Sequence, residues 1–482
     1  MQNYSKIVNQ IRIETLGCRL NQIESESTAR YFIENGFSVC MEGITSNSEE
    51  SPEILVSIIN TCAVTQKAEQ KARRLIRLLL KKCPNSLVLV TGCYAQLAKE
   101  EIENIDERIC AIGGQIKSRI SQIPMLLKEL LNTGSFNPLD FKSIVNEKIL
   151  KPVPEKSGFP EKSFTLSTSS FLSHSRASLK IQDGCNSNCS YCAIHIARGH
   201  SVSIDVQTAI DRVKELEAAG QNEVVITTVN IGQYKGEYKG EYYNFTRLLK
   251  VLLENTEKIN FRISSLYPEI VDDDFCSVIS DPRVCPHFHI SVQSGSNKIL
   301  RLMNRQYGAE IVINACKKLR EAKKNPFIAC DLITGFPGET KEDFIETMDL
   351  CEKCKFSWIH AFPFSERPGT VAATMKNKVP QSVSGERAKK LTDWAINNKI
   401  IYINSFIGKE LSAIIETVKR PKVISNNVNG YIYHAVTDNF IHCEIHSEKI
   451  IQESTKVKIE ITKVLIERIQ KGGDIEAAAK II

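Results

Sequence analysis

The sequence predicts an α/β protein in three parts: an N-terminal parallel α/β sandwich, a central partial (β/α)6 barrel and a small C-terminal β-barrel. Two observations carry this prediction. Apolar strand patterns alternate with helical patterns in two series, which is typical of parallel sheets covered by helices. After residue 406, short strand patterns follow, joined by Asn, Gly and Ser turns as in small all-β barrels. The predicted bounds are 11–132, a linker over 133–174, then 175–406 and 407–470.

Length, charge and hydropathy narrow the class of protein. The chain has 482 residues and a formal net charge of +6, which excludes a polycation but allows a basic patch. No apolar run approaches the roughly 20 residues that span a bilayer, and residues 1–10 lack the apolar core of a signal peptide. We therefore expect a cytoplasmic protein with no membrane contact. Its 16 cysteines should be thiols, for which metal binding, catalysis and simple burial compete.

In the first series, a cysteine follows each of three predicted strands. The strands are Ile11–Leu16, Glu53–Ile59 and Leu87–Val90, with helices at Gln22–Glu34, Gln66–Lys82 and Leu97–Ile105. The cysteines are Cys18, Cys62 and Cys93. Because the carboxyl ends of parallel strands share one edge of the sheet, where ligands bind, we expect these thiols to meet in one three-cysteine site. The alternative is three small residues buried at strand ends.

The second series begins after a segment rich in proline, serine and lysine, which is typical of an interdomain linker. Its six predicted strands are Ser178–Gln182, Glu223–Thr228, Phe261–Ser264, Phe288–Val292, Phe327–Gly335 and Trp358–Phe364. Six units are fewer than the eight that close a full barrel, so an open, partial barrel is predicted, with a gap that can admit a large substrate. The C-terminal strands are predicted at Glu410–Lys419, Val428–Ala435, Phe440–Ile445 and Lys456–Lys463, and the tail from Lys471 is expected to fray.

Three closely spaced cysteines follow the first barrel strand, in the segment DGCNSNCSYCAIHIARG. They are Cys185, Cys189 and Cys192. Three such thiolates can hold three irons of a [4Fe–4S] cube and leave the fourth iron open. Zinc is the alternative, with His195 or His200 as the fourth ligand. The spacing CxxxCxxC, the position on a βα loop and the aromatic Tyr191 directly before the last cysteine favour iron.

This motif resembles that of the radical S-adenosyl-L-methionine (SAM) superfamily, and further segments resemble one branch of it, the methylthiotransferase family. These segments include TLGCRLNQIESE, INTCAVT, VTGCYAQ, HFHISVQSGSNKILRLMNR, DLITGFPGET and HAFPFSERPGT, and the similarity runs from about residue 11 to 463. The resemblance implies an N-terminal methylthiotransferase domain, a radical SAM partial barrel and a C-terminal TRAM domain that binds RNA. GCRLNQIESE is most similar to the subgroup that acts on threonylcarbamoyladenosine beside the tRNA anticodon. The chain departs from the family at His195 and Ile196, where Pro-Tyr is usual, and at Tyr267, where an acidic residue is common.

The resemblance also implies a reaction and its cofactors, two [4Fe–4S] clusters and SAM. The cluster on the CxxxCxxC motif would cleave SAM to a radical, and the radical would abstract hydrogen from an adenine carbon. The cluster on the other three cysteines would supply sulfur, and a second SAM the methyl group. The expected product carries a methylthio group at C2 of N6-threonylcarbamoyladenosine at position 37 of tRNA. The alternatives are isopentenyladenosine in tRNA, an aspartate of a ribosomal protein, or an RNA-binding module with a structural metal site.

Residue-level expectations follow from the same resemblance. The six cysteines are the expected cluster ligands, and no further catalytic residue is expected. Contacts to SAM are expected from Tyr191, Asn230, Gln293, Ser294, Gly335 and Phe336, and contacts to RNA from Lys419, Arg420 and Lys422. Arg198 is expected either to pair with a carboxylate or to lie in solvent. The expected partners are a tRNA anticodon loop, whose base must be splayed out to react, and an electron donor such as flavodoxin or ferredoxin.

Overall fold

The computed structural model describes residues 9–151, 158–167, 176–416 and 431–482. Its N-terminal part is a five-stranded parallel sheet flanked by helices. The strands are β1 (Gln10–Thr15), β2 (Ser38–Cys40), β3 (Ile54–Thr61), β4 (Leu87–Gly92) and β5 (Ile109–Gly113), and the helices are α1 (Arg19–Glu34), α2 (Gln66–Lys82), α3 (Cys93–Leu97), α4 (Lys99–Glu103), α5 (Ile123–Thr133) and α6 (Pro138–Val145). The strand order is β2-β1-β3-β4-β5. The central strands β3 and β4 are buried along nearly their whole length because helices cover both faces.

The segment predicted as a linker begins differently in the structure. Asn137 caps α6 by accepting hydrogen bonds from the N–H groups of Leu139 and Asp140, and Pro138 occupies the first helical position. Phe141, Val145 and Ile149 are fully buried in the core beside the first sheet. Up to residue 151 this segment is therefore a helical extension of the N-terminal part. The Asn-Pro pair that suggests a loop serves here as a helix start.

The central part is an open barrel of parallel strands. The barrel strands are β6 (Ala177–Lys180), β9 (Glu223–Thr227), β12 (Asn260–Ile263), β13 (Ser265–Leu266), β14 (His287–Gln293), β15 (Phe327–Thr334) and β16 (Trp358–Pro363), and short antiparallel pairs are formed by β7 (Gln182–Asp183) with β8 (Val202–Ser203) and β10 (Gly236–Tyr238) with β11 (Glu241–Tyr243). The helices are α7 (Ile194–Arg198), α8 (Val206–Ala218), α9 (Phe245–Glu254), α10 (Asp273–Ile279), α11 (Asn297–Leu302), α12 (Ala309–Ala322), α13 (Lys341–Cys354), α14 (Val371–Thr374) and α15 (Gln381–Asn404).

The barrel strands run in the order β6-β9-β12 and then β13-β14-β15-β16. Since β13 follows β12 after a single residue, the two sheets form one curved wall. Within the described residues, β6 and β16 at the two ends of that wall do not pair with each other. The predicted partial barrel is confirmed.

The C-terminal part is a closed barrel of five strands. They are β17 (Glu410–Ile415), β18 (Tyr431–Thr437), β19 (His442–Ser447), β20 (Lys456–Val464) and β21 (Ala477–Ile481), with α16 (Ile466–Gln470) before the last strand. β21 pairs with both β19 and β20 and so closes the barrel. The tail that the sequence analysis expects to fray is therefore a barrel strand. Its AAAKI sequence lacks the pattern of a local strand, and distant partners determine its structure.

The C-terminal barrel packs against the end of the partial barrel where the parallel strands begin, which we call the lower end. Phe440, in the turn between β18 and β19, stacks on His287 with ring centroids 4.1 Å apart. Arg262 donates to the carbonyl oxygen of Asp438 at 3.0 Å and pairs with both carboxylate oxygens of Glu223 at 2.7 Å. The upper end, at the carboxyl ends of the strands, faces the N-terminal part. No helix in the described stretches of the chain is long and apolar enough to cross a bilayer.

Candidate active site

The three cysteines at the strand ends of the first sheet lie near one another. Cys18 caps α1 after β1, Cys62 follows β3, and Cys93 begins α3 after β4. The backbone of Gly17 has φ of +104°, and a Cβ added there would lie 2.6 Å from the Cβ of Cys62. Burial is the main cause that raises the pKa of the Cys62 thiol to about 11, and the charges of Cys93 and Cys18 act in the same direction. The three thiols are close enough to influence one another.

The second set of cysteines occupies the loop between β7 and α7, at the mouth of the barrel. The Sγ of Cys185 accepts from the N–H of Ser187 at 3.4 Å, and the Sγ of Cys192 accepts from the N–H of Ile194 at 3.5 Å. Burial raises the pKa of Cys192 to about 12, and the charges of Cys189 and Cys185 act in the same direction. N–H groups directed at sulfur stabilise thiolate, which is the form that binds iron.

One cysteine of each set lines a small cavity between the two parts. It has a volume of about 70 Å³, and its lining includes Cys93 from the N-terminal sheet together with Tyr191 and Cys192 from the barrel loop. Contacts between the two parts hold this arrangement. Gln115 Nε2 donates to the carbonyl oxygen of Ile196 at 3.0 Å, and Glu69 forms an ion pair with Arg367.

A larger cavity of about 450 Å³ is lined by Cys189, Asn230, Tyr267 and Arg305 among others. Of the six residues expected to contact SAM, Asn230 lines this cavity, with its Nδ2 atom 3.9 Å from the Sγ of Cys185. Tyr191 lines the small cavity.

The other four expected SAM contacts line neither of these two cavities. Gln293 ends β14 with φ of +72°, and Ser294 is buried against Thr347 of α13. Phe336 packs in a small apolar cluster beside Tyr191. At Gly335 an added Cβ would overlap the side chain of Ser384, so this glycine allows α15 to approach.

Arg305 is a residue of this site that the sequence analysis does not single out. Its Nη1 lies 3.4 Å from the Sγ of Cys189, and the guanidinium donates to the hydroxyl of Tyr307 at 2.8 and 2.6 Å. It also lies over the ring of Tyr267, 4.5 Å from its centroid. Arg305 places a buried cation beside a thiol. It belongs to the MNR end of a family segment, and no local pattern marks its contact with Cys189, which precedes it by 116 residues.

Buried charges connect the two cysteine sets. Arg198 donates to Asp183 at 2.8 Å and to the side-chain oxygen of Asn21 at 2.9 Å. Of the two expectations for Arg198, a pair with a carboxylate or a position in solvent, the structure shows the pair. Glu24 of α1 pairs with Lys180 at 3.0 Å, with Lys117, and with Arg198 at 3.4 Å. We call Glu24, Lys117, Lys180, Asp183 and Arg198 the buried charge cluster; each is at most 5% exposed. Burial raises the pKa of Cys93, and Arg198 opposes that shift.

The zinc alternative requires a histidine beside the barrel cysteines, either His195 or His200. The Nδ1 of His195 is buried and has no hydrogen-bond partner among the described residues. The Nδ1 of His200 lies 3.2 Å from the side-chain oxygen of Asn186, and its ring packs on Phe159. Among the described residues, only Glu223, Cys285 and Asp438 bring three potential ligand atoms within 4.8 Å of one another, and Arg262 already binds that Glu223. The expected RNA contacts Lys419, Arg420 and Lys422 lie outside the described residues.

Comparisons with known proteins agree with this geometry. The Radical SAM superfamily matches residues 179–351, and the Uncharacterized protein family UPF0004 matches residues 10–114. The fold and these two matches define a radical SAM protein with an N-terminal UPF0004 domain.

Curated relatives identify the branch. A threonylcarbamoyladenosine tRNA methylthiotransferase of Treponema pallidum is 42% identical over 84% of this chain and 91% of that protein, and one of Thermotoga maritima is 34% identical over 91% and 94%. A tRNA-2-methylthio-N(6)-dimethylallyladenosine synthase of Thermoanaerobacter pseudethanolicus is 32% identical over 94% and 90%. The chain belongs to the methylthiotransferase family, which confirms the prediction made from the motifs.

Proposed function

We propose that the chain adds a methylthio group to C2 of N6-threonylcarbamoyladenosine at position 37 of tRNA. The observation that carries this proposal is the cavity bordered by Cys93 on one side and Cys192 on the other. Insertion of sulfur needs a radical source and a sulfur source that reach one substrate atom, and two three-cysteine sites on one space meet that need. The higher identity to relatives named for threonylcarbamoyladenosine favours this nucleoside over dimethylallyladenosine.

The residues present fit two [4Fe–4S] clusters. Each set offers three thiols, which leaves one iron of each cluster open for SAM or for a sulfur species. Each set also has a buried arginine beside it, Arg305 at Cys189 and Arg198 near Cys93, which offsets the negative charge of thiolates. When bound, the clusters and two SAM molecules supply the electron, the radical, the sulfur and the methyl group.

The chain's own side chains hold and shield this chemistry. The N–H groups of Ser187 and Ile194 orient the thiols of Cys185 and Cys192. The side-chain amide of Asn230 also approaches the Sγ of Cys185. The buried side chains of Ala63 and Ala197 line the small cavity and would keep water away from a reactive carbon radical.

The same proposal includes the partners. The reacting base lies in a loop, so it can be splayed out of its stack into the barrel. Lys419, Arg420 and Lys422 are proposed to bind phosphates of this tRNA, because lysine and arginine supply the electrostatic part of RNA affinity. A one-electron carrier such as flavodoxin or ferredoxin is the proposed reductant, and a tRNA substrate implies a cytoplasmic enzyme.

Mass spectrometry of tRNA nucleosides tests the substrate. In a strain lacking this protein, the methylthio form of threonylcarbamoyladenosine should disappear and the unmodified form should accumulate. The wild-type gene and a Cys276→Ala control, which changes a half-buried cysteine of α10 that belongs to neither set, should restore it. Cys93→Ala and Cys192→Ala should not. An unchanged nucleoside profile would reject the proposal, and loss of the methylthio form of isopentenyladenosine would support the alternative substrate.

Iron analysis tests the cofactors independently. Anaerobic reconstitution should give about eight irons per chain, and about four in either cysteine variant. Cys93→Ala should still cleave SAM on reduction, whereas Cys192→Ala should not. One zinc per chain without SAM cleavage would instead indicate an RNA-binding module with a structural metal.

A further inference from the structure

The inner face of the partial barrel is polar. On each barrel strand, residues that pack in the apolar core beneath the helices alternate with residues that face inward. The inward positions include Arg262, His289, Asp331 and His360, and the Nε2 of His289 lies 3.0 Å from a carboxylate oxygen of Asp331. A barrel that fills its own interior uses apolar side chains there. This interior is instead suited to a polar ligand.

Arg19, in the N-terminal part, interacts electrostatically with charged groups of the barrel. It begins α1 directly after Cys18 and is partly buried. The charged groups that act on it are two arginines and two carboxylates at the lower end of the barrel, namely Arg176, Arg262, Glu223 and Glu416. It also acts on His287, the first residue of β14. The Arg19 guanidinium is therefore within electrostatic range of charged groups on the barrel strands, although the residue keeps part of its surface exposed.

The carboxylates near Arg19 are already paired. Glu223 binds Arg262 through both oxygens at 2.7 Å, and Glu416 binds Arg176 at 2.8 Å. No hydrogen bond or ion pair joins Arg19 to another residue of the stretches 9–151, 158–167, 176–416 and 431–482. An arginine held among other cations without a counter-ion is costly, and an anionic ligand would remove that cost.

The proposed substrate brings an anion to this place. In adenine, C2 and C6 flank N1 on one edge of the ring, so a base that presents C2 to the sulfur source carries its N6 group along the same side. Arg19 adjoins Cys18, a proposed ligand of the sulfur-supplying cluster, with Cα atoms about 3.8 Å apart across one peptide. The threonylcarbamoyl group on N6 ends in a carboxylate, for which the guanidinium fork is the matching donor.

We infer that Arg19 binds the carboxylate of the threonylcarbamoyl group and is the residue that selects this nucleoside over one with an uncharged N6 substituent. The inference rests on the proposed function. An uncharged substituent would leave the guanidinium unpaired in the barrel, so discrimination of about 10- to 100-fold is expected from this contact.

Two anticodon stem-loop RNAs of one sequence test the inference, one with threonylcarbamoyladenosine and one with its methyl ester, which removes only the charge. Binding of each RNA to the reconstituted enzyme is measured by fluorescence anisotropy, and kcat/KM is measured anaerobically. Wild type should favour the free acid by about 10- to 100-fold in Kd and in kcat/KM. Arg19→Gln should lose this preference by weakening the acid alone, and Arg19→Lys should restore part of it. An unchanged iron content would show that the variants keep both clusters.

The outcomes separate this inference from the proposed function. Arg74→Gln, on the exposed face of α2, is the control and should leave the ratio between the two RNAs unchanged. If Arg19→Gln keeps the preference, or weakens both RNAs equally as a phosphate contact would, the inference is overturned while turnover of the free acid by wild type upholds the proposed function. If wild type modifies neither RNA but modifies one with isopentenyladenosine, both fail.

Discussion

Replacement of Glu24 by glutamine removes one of the two negative charges in the buried charge cluster. The Glu24 side chain is about 1% exposed and contacts Lys117, Lys180 at 3.0 Å and Arg198 at 3.4 Å. With glutamine, three buried cations would face the carboxylate of Asp183 alone. Removal of one partner from a buried ion pair costs about 3–5 kcal/mol, because an uncompensated charge stays buried. We expect the free energy of unfolding to fall by about that amount.

Urea unfolding followed by circular dichroism measures this change. Glu34→Gln is the matched control, on the same helix. Its pair with Arg30 at 2.7 Å involves side chains that are 52% and 45% exposed, and the expected effect is below about 1 kcal/mol. The double variant Glu24→Gln/Lys180→Met removes one charge of each sign and should recover part of the loss. Equal effects of Glu24→Gln and Glu34→Gln would refute the view that charge balance stabilises this cluster.

Two further predictions follow from single groups. Burial would raise the pKa of Glu24, but Lys117, Lys180 and Arg198 lower it to about 2, so its contribution to stability is present above the ordinary pKa of 4.5 and is lost as the pH falls towards 2. Between pH 6 and pH 3, thermal melts should show a smaller loss of stability for Glu24→Gln than for the wild type. An equal dependence of melting temperature on pH in the two proteins would contradict this prediction. Gly17→Ala should lower the iron content by about half while SAM cleavage persists, because the new Cβ would lie 2.6 Å from the Cβ of Cys62. Gly36→Ala is its control, since φ there is +90° but nothing lies within 4 Å of the added Cβ; similar iron loss in both variants would point to backbone strain instead.

Local patterns account for the parts of the fold that sequence analysis recovers. The barrel strands and the first, third and fourth strands of the N-terminal sheet are apolar runs between helical patterns, and periodicity marks them without knowledge of their partners. β21 and α6 are different. AAAKI becomes a strand only between β19 and β20, and the Asn-Pro start of α6 becomes a helix because Phe141 has a core to enter.

The same division runs through the candidate site. Cys185, Cys189 and Cys192 are close in sequence, and Cys18, Cys62 and Cys93 each end a strand, so both sets are visible as patterns. Arg305 is not visible in this way, because its contact with Cys189 spans 116 residues of chain. For Arg198 the sequence leaves open whether it pairs with a carboxylate or lies in solvent. Only the fold brings Asp183 and Asn21 to it as partners.

The amino-acid sequence by itself determined which chemistry this chain is equipped for, since thiol spacing and strand order are properties of neighbouring residues. Only the tertiary structure decided which side chains from distant parts of the chain lie next to one another around these thiols. It placed Cys93 and Cys192 on one cavity and left Arg19 without a counter-ion among the described residues. It also enclosed five charges between the two parts of the molecule. These outcomes depend on contacts between residues far apart in the chain, which burial and charge pairing select and no local pattern encodes.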